Sequence, residues 1–259
     1  MRQRTRAFRF LWLLTALLAV AAMDQPTQPI VLSPEQAAKE GRALVEEMLS
    51  QKPAENKVTT GVMTIRRDKK FGQVPIVFTT QTTPTNWMSS YKATVTNFVV
   101  QVAVLHTANQ TNRYFQEPYL LGSDGYPETR PALAPVTGDG ILAPFAFSDF
   151  SIADLGLEFL HWPDQRLVQK EMKRSRSCRV LESINPHPVP GGYSKVKSWV
   201  DLESDGIVYA LAYDDKGREL KEFIPKDFTK VNGQWQLEEM QIGNLQTKST
   251  TTVKFNVGH

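Results

Sequence analysis

Between Arg166 and His259 the chain is cut into strand-length runs by turn residues, and this punctuation limits the fold more than any other feature. The candidate strands are 166–174, 177–185, 194–202, 206–214, 219–230, 234–243 and 248–257. Between them stand Pro190-Gly191-Gly192, Ser204-Asp205-Gly206, Asp214-Asp215-Lys216-Gly217 and Asn232-Gly233. Such residues supply the backbone angles of tight hairpins, and Asn-Gly is the most specific of these signals. A parallel pairing needs a crossover of a dozen or more residues, and connections this short exclude it. The segment therefore reads as an antiparallel meander. Ile207, Tyr209, Leu211 and Tyr213 fall on one face of their strand, with Val208, Ala210 and Ala212 on the other.

The N-terminal half has similar texture. Val58–Arg67, Val74–Thr83, Asn86–Ala93 and Thr94–His106 read as strands, with Asp68–Gly72 as a hairpin connection. In the last of these strands Phe98, Val100, Val102 and Val104 form one apolar face, and the odd positions are mixed. Residues 117–147 carry five prolines and four glycines and read as a long irregular connection. Two helices have start signals. Ser33-Pro34-Glu35-Gln36 offers a cap, a proline at the first position and a capping-box glutamine before apolar residues at helical spacing. Ser151 with Asp154 opens a second helix, expected to run to Trp162 and stop at Pro163. The expectation is an α+β, mainly β fold: about eleven antiparallel strands with two or three helices. A sheet that wide curls, and its concave face must be filled by helices, side chains or a ligand.

Composition matters chiefly for what it says about location. The full chain has 30 Lys+Arg against 27 Asp+Glu, a net charge of +3. Four of those arginines (Arg2, Arg4, Arg6 and Arg9) precede the apolar run Phe10–Ala22, which ends in Ala19-Val20-Ala21-Ala22. Basic, apolar and small-residue regions in that order form a secretory signal peptide. The alternative is an uncleaved N-terminal anchor, but a run of thirteen residues, broken only by Thr15, falls short of the roughly 20 needed to span a bilayer. No lipid-anchor cysteine follows the run, and no twin arginine stands in the basic stretch before it. Removing residues 1–22 leaves 26 basic against 27 acidic residues and a net charge of −1. The remaining chain, 23–259, reads as one domain with no transmembrane span. Without an excess positive field, nucleic acid is not an expected partner.

Signs of catalysis are sparse. His106, His161, His187 and His259 show no helical metal spacing, and no nucleophile elbow or phosphate-binding glycine loop occurs. His161 beside Trp162 is compatible with a site or with simple packing. Cys178 follows Lys173, Arg174 and Arg176, a basic setting of the kind that lowers a thiol pKa; the alternative is an inert strand cysteine. Asn109-Gln110-Thr111 matches a glycosylation acceptor, which matters only in a eukaryotic secretory pathway. The reading is therefore non-enzymatic, with no cofactor and no metal. Aromatic residues are more prominent. Phe145, Phe147, Phe150 and Phe159 cluster around the second helix, either as core or as a lid over an apolar cavity.

Several segments together resemble the bacterial outer membrane lipoprotein-sorting family of the LolA/LolB-like superfamily. They are Phe147–Leu155, Cys178–Glu182, Tyr193–Asp201 with its Trp-Val-Asp hairpin, Ala212–Lys221 and the threonine-rich Asn244–Thr252. The resemblance covers roughly residues 35–257 and implies an unclosed barrel of about eleven antiparallel strands with helices over the concave side. It also implies that acyl chains of lipoproteins are held in that hollow in the periplasm. The expected ligand-lining residues are Trp87, Phe98, Val100, Val102, Phe150, Leu155, Phe159 and Trp199. The function expected is a monomeric periplasmic protein binding a lipid or lipoprotein acyl chain, in lipoprotein sorting or envelope lipid transport. The alternatives are a cell-envelope interaction module whose helices fill its own concavity, partnered by envelope proteins, and an unrecognised hydrolase.

Overall fold

The computed structural model describes residues 32–68, 70–96, 98–120, 132–231 and 234–257. Residues 1–22, read above as an export signal, and the Asn232-Gly233 pair read as a hairpin turn lie outside them. The first six strands are β1 (Lys57–Arg67), β2 (Lys70–Thr82), β3 (Asn86–Val95), β4 (Phe98–Thr107), β5 (Arg113–Leu120) and β6 (Ala134–Val136). The remaining seven are β7 (Asp164–Lys173), β8 (Arg176–Ile184), β9 (Tyr193–Asp201), β10 (Ile207–Asp214), β11 (Glu219–Val231), β12 (Gln234–Asn244) and β13 (Ser249–Phe255). All belong to one antiparallel sheet in the order β6-β5-β4-β3-β2-β1-β13-β12-β11-β10-β9-β8-β7. Two meanders are thus joined by a single long-range pairing of β1 with β13, from Gly61 opposite Phe255 to Arg66 opposite Thr250. The sheet curves but does not close, since its edges β6 and β7 do not pair.

The strand count is thirteen rather than the expected eleven. Both additions, β5 and β6, fall in or beside the stretch read as an irregular connection. Their prolines, Pro118 and Pro135, lie at the sheet margin, where a missing N–H is tolerated. The boundary between the third and fourth strands also moves. The chain turns at Thr96, which adopts a left-handed φ of 48°, so Thr94 and Val95 finish β3.

Helix α1 (Pro34–Ser50) begins with the expected capping box, Gln36 N–H donating to Ser33 Oγ at 3.3 Å and Ser33 N–H to Gln36 Oε1 at 3.2 Å. It buries Leu44 and Val45 and lies against edge strand β7, shielding it. Gly41 permits the close approach: a Cβ there would come 2.5 Å from the Gln165 carbonyl oxygen.

The second expected helix is broken. Helix α2 covers only Ile152–Leu155, although the Ser151–Asp154 capping box is present. Gly156 and Leu157 interrupt it, Leu157 at φ 49°, and a 3-10 turn follows at Glu158–His161. The cause is contact with the sheet: a Cβ on Gly156 would overlap the Tyr114 ring. With 3-10 turns at Gly138–Leu142 and Phe145–Phe147, this segment forms a crossover linking the edge strands β6 and β7.

Three apolar clusters result. The first unites Met63, Val74, Ile76, Val102 and Val104 with Phe145, Phe150 and Ile152 of the crossover. The second sets Leu44 and Val45 of α1, with Phe159 and Leu160, on Leu167, Leu181, Val196 and Val200. The third lies on the opposite, convex face of β8–β10, around Cys178, Val180, Trp199 and Leu211. A bulge between Ile207 and Tyr209 shifts the alternation of β10. Ile207 thereby joins the second cluster, while Tyr209 and Tyr213 join the third.

Candidate functional site

The crossover is fastened to the sheet by polar groups from many strands. Asp149 is buried and accepts from Thr251 Oγ1 at 2.7 Å and from Ser249 Oγ. Asp154 accepts from Tyr193 Oη at 2.7 Å and from the Lys221 ammonium at 3.1 Å, in a pair shielded from water. Tyr91 Oη donates to the Leu155 carbonyl at 3.1 Å, and Asn112 Nδ2 to the Gly156 carbonyl at 2.7 Å. Gln165 Nε2 donates to the Phe159 and Trp162 carbonyls at 2.9 and 2.8 Å. Hydrogen bonds to charged groups each contribute about 1.5–3 kcal/mol, so this segment is a plug rather than a loose cover.

Beside the plug a cavity of about 1260 Å³ remains. Its walls come from the C-terminal end of α1, the β4–β5 and β9–β10 turns, residues 156–161, and β11 with β12. Met48, Leu49, Trp87, Leu160, Phe223 and Leu237 give it apolar surface. The exposed residues Glu46, Asn109, Gln110, Glu203 and Ser204 form its rim.

One wall is polar. The His106 ring stacks on Trp87 at 4.7 Å between centroids and 13° between planes. Burial holds His106 down to about 4; the neighbouring His161 adds to the shift and Asn112 opposes it. Burial also lowers His161. Behind them Tyr114 Oη donates to Glu158 Oε2 at 2.8 Å. Burial raises the Glu158 carboxyl, and the Tyr114 hydrogen bond partly offsets this. His161 Nε2 and Asn112 Oδ1 are buried without a hydrogen-bond partner of normal geometry.

The structure scatters the eight expected lining residues. Trp87 is on the cavity wall. Phe98, Val100, Val102, Phe150 and Leu155 are instead in the first cluster, packed with the plug; Phe98 meets Phe147 edge-on at 5.7 Å. Phe159 is buried in the second cluster with α1. Trp199 is on the convex face, 5.1 Å from Tyr209, with Lys173 over both rings. It pairs with Val180, one position out of step with the concave Leu181 and Val200, so alternation carries it to the other side. The wall residues His106 and His161 were visible in the sequence only as isolated histidines. Met48, Asn112, Phe223 and Leu237 carried no signal, because four separate elements bring them together. For Cys178 the surroundings fit the inert strand cysteine and not a lowered pKa. It is fully buried, and burial raises its thiol despite Arg176 nearby.

The fold has relatives among solved structures. A DUF1329 family protein from Desulfovibrio piger superposes with a TM-score of 0.66 at 19% identity, covering 86% of this chain and 95% of that one. A domain from Vibrio parahaemolyticus named for outer membrane lipoprotein sorting gives 0.67 at 17%, covering 86% and 94%. A LolA superfamily protein from Nitrosomonas europaea gives 0.53 at 14%, covering 85% and 91%. The chain has the LolA-like fold. A family model described as an uncharacterized protein matches residues 135–257. No curated protein matches. Among the described residues of this LolA-like fold, no helix is long and apolar enough to cross a membrane. No three His, Cys, Asp or Glu side chains are grouped to hold a metal ion among those residues.

Proposed function

We infer that the chain is an exported periplasmic protein that holds an acyl chain, of a lipid or a lipoprotein, in the cavity beside the plug. The observation that carries this reading is the cavity: about 1260 Å³ with walls from Trp87, Leu160, Phe223 and Leu237. Small-molecule sites usually measure about 300–1,000 Å³, so the space suits a long or branched apolar guest. Each buried methylene contributes about 0.8 kcal/mol. Ten would supply about 8 kcal/mol, equivalent to micromolar binding without any catalytic group. The Vibrio relative named for lipoprotein sorting and the fold shared with the LolA superfamily support the same reading. Residues 1–22 act as the export signal, and 23–259 form the functional domain, working as a monomer without a cofactor.

Native mass spectrometry and lipid extraction of protein purified from its own envelope test this directly. Co-purifying lipid, or uptake of a fluorescent fatty-acyl probe, is the expected result. A lipid-free protein that takes up no probe would sink the idea. A second reading, a cell-envelope interaction module, is favoured by the plug, which fills much of the concave face with the chain's own residues. It predicts no probe uptake and a protein partner in crosslinked envelope fractions.

A further inference from the structure

The acyl-binding reading leaves the polar end of the guest unassigned, and one wall of the cavity bears on it. His106, Asn112 and His161 face the same space. His161 Nε2 is buried and unpartnered, while Asn112 hydrogen-bonds to His106. Leaving such an atom unpaired is costly, so a ligand that supplies a partner gains from it. Since burial lowers both imidazoles, each is neutral near pH 7 and offers one donor and one acceptor nitrogen.

The charge on the walls disfavours an anion. Among the described residues, Glu46, Glu203 and Asp205 line the cavity against a single basic residue, Arg176. Arg176 is 3.2 Å from Asp201, and Asp205 pairs with Arg179. A carboxylate or phosphate seated here would lose water and meet no free cation among these residues.

We propose that the His106–Asn112–His161 wall seats an uncharged hydrogen-bonding head group, a hydroxyl or an amide, on an acyl ligand and discriminates against an anionic head. The inference rests on the acyl-binding reading and adds the class of head group. A hydroxyl or amide both donates and accepts, so it can pair with either tautomer of His161. A free carboxylate only accepts, so it pairs with His161 only when the proton sits on Nε2.

Calorimetric titration of the purified protein near pH 7 with monopalmitoylglycerol, palmitamide and palmitate tests the proposal. The two neutral amphiphiles are expected to bind about tenfold or more tighter than palmitate, which is the effect of one well-made hydrogen bond. His161→Phe keeps a ring of similar size and should erase about tenfold of that preference. In the unmutated protein, the His161 imidazole nitrogen NMR shifts should move with monopalmitoylglycerol and not with palmitate. Equal affinity for neutral and anionic heads overturns the head-group inference and leaves the acyl-binding reading standing. Unmoved His161 signals do the same, even if the variant fails to fold. Uptake of none of the three amphiphiles overturns both.

Discussion

The concave face is handled in two different ways along its length. Over β1–β5 and β13 the crossover fills it, with Phe145, Phe150 and Ile152 buried against Val102 and Val104 and with Asp149 fastened to Ser249 and Thr251. Beside the C-terminal end of α1 the same sheet faces a cavity of about 1260 Å³ instead. In the plugged part, buried polar groups find partners within the chain. In the hollow part, His161 Nε2 does not. A curved sheet thus leaves its designer a choice of what fills it, and this chain uses its own residues at one end and leaves room for a guest at the other.

That contrast can be broken most severely from the plugged side. Ile152 is fully buried, so Ile152→Ala should destabilise by about 2–5 kcal/mol, read as a lowered denaturant midpoint. A loss below about 1 kcal/mol would show that the plug is not part of the core. Acid should act on the hollow side with similar size. His106 is held at about 4 in the folded chain against an unperturbed 6.5, and His161 is lowered too. A histidine lowered by folding binds its proton more readily when unfolded, so stability is present above 6.5 and lost as pH falls towards 4. His106 alone should cost about 3 kcal/mol across that window. His106→Phe should flatten the pH dependence of unfolding; an unchanged slope would disprove the assignment.

A smaller effect is expected where α1 meets the sheet. Gly41→Ala places a methyl 2.5 Å from the Gln165 carbonyl oxygen, which is backbone and cannot swing away. Overpacking of this kind costs about 1–3 kcal/mol. Hydrogen exchange should show α1 opening before the rest of the chain, and equal protection throughout would contradict it. The smallest stability change belongs to the cavity wall. Leu237 is only partly buried and borders open space, so Leu237→Ala should cost less than about 1 kcal/mol. Its effect should appear instead as weaker uptake of the acyl probe. A large stability loss with uptake intact would reverse the roles given to the two regions.

Much of the sheet was legible from the chain alone. The seven C-terminal strands fall within about two residues of their expected limits, because turn chemistry and two-residue alternation act locally. Both capping boxes formed for the same reason. The candidate site was far less legible. Val100 and Val102 are apolar and concave like Trp87, yet only Trp87 reaches the cavity. Nothing in their own surroundings along the sequence separates them; the difference lies in where the crossover rests. Trp199 went to the convex face through one step of alternation, and the bulge at Ile207 moved a residue across the sheet.

The sequence by itself determined an antiparallel, turn-punctuated β protein carrying a basic and apolar leader and no pattern of catalytic groups. Each of these is a local property, written in neighbouring residues. Only the tertiary structure decided that β1 pairs with β13, that Gly156 breaks the second helix against Tyr114, and that His106, Asn112 and His161 share one wall. Those outcomes depend on packing between segments far apart in the chain, where burial sets both the space left over and the protonation of the groups that face it.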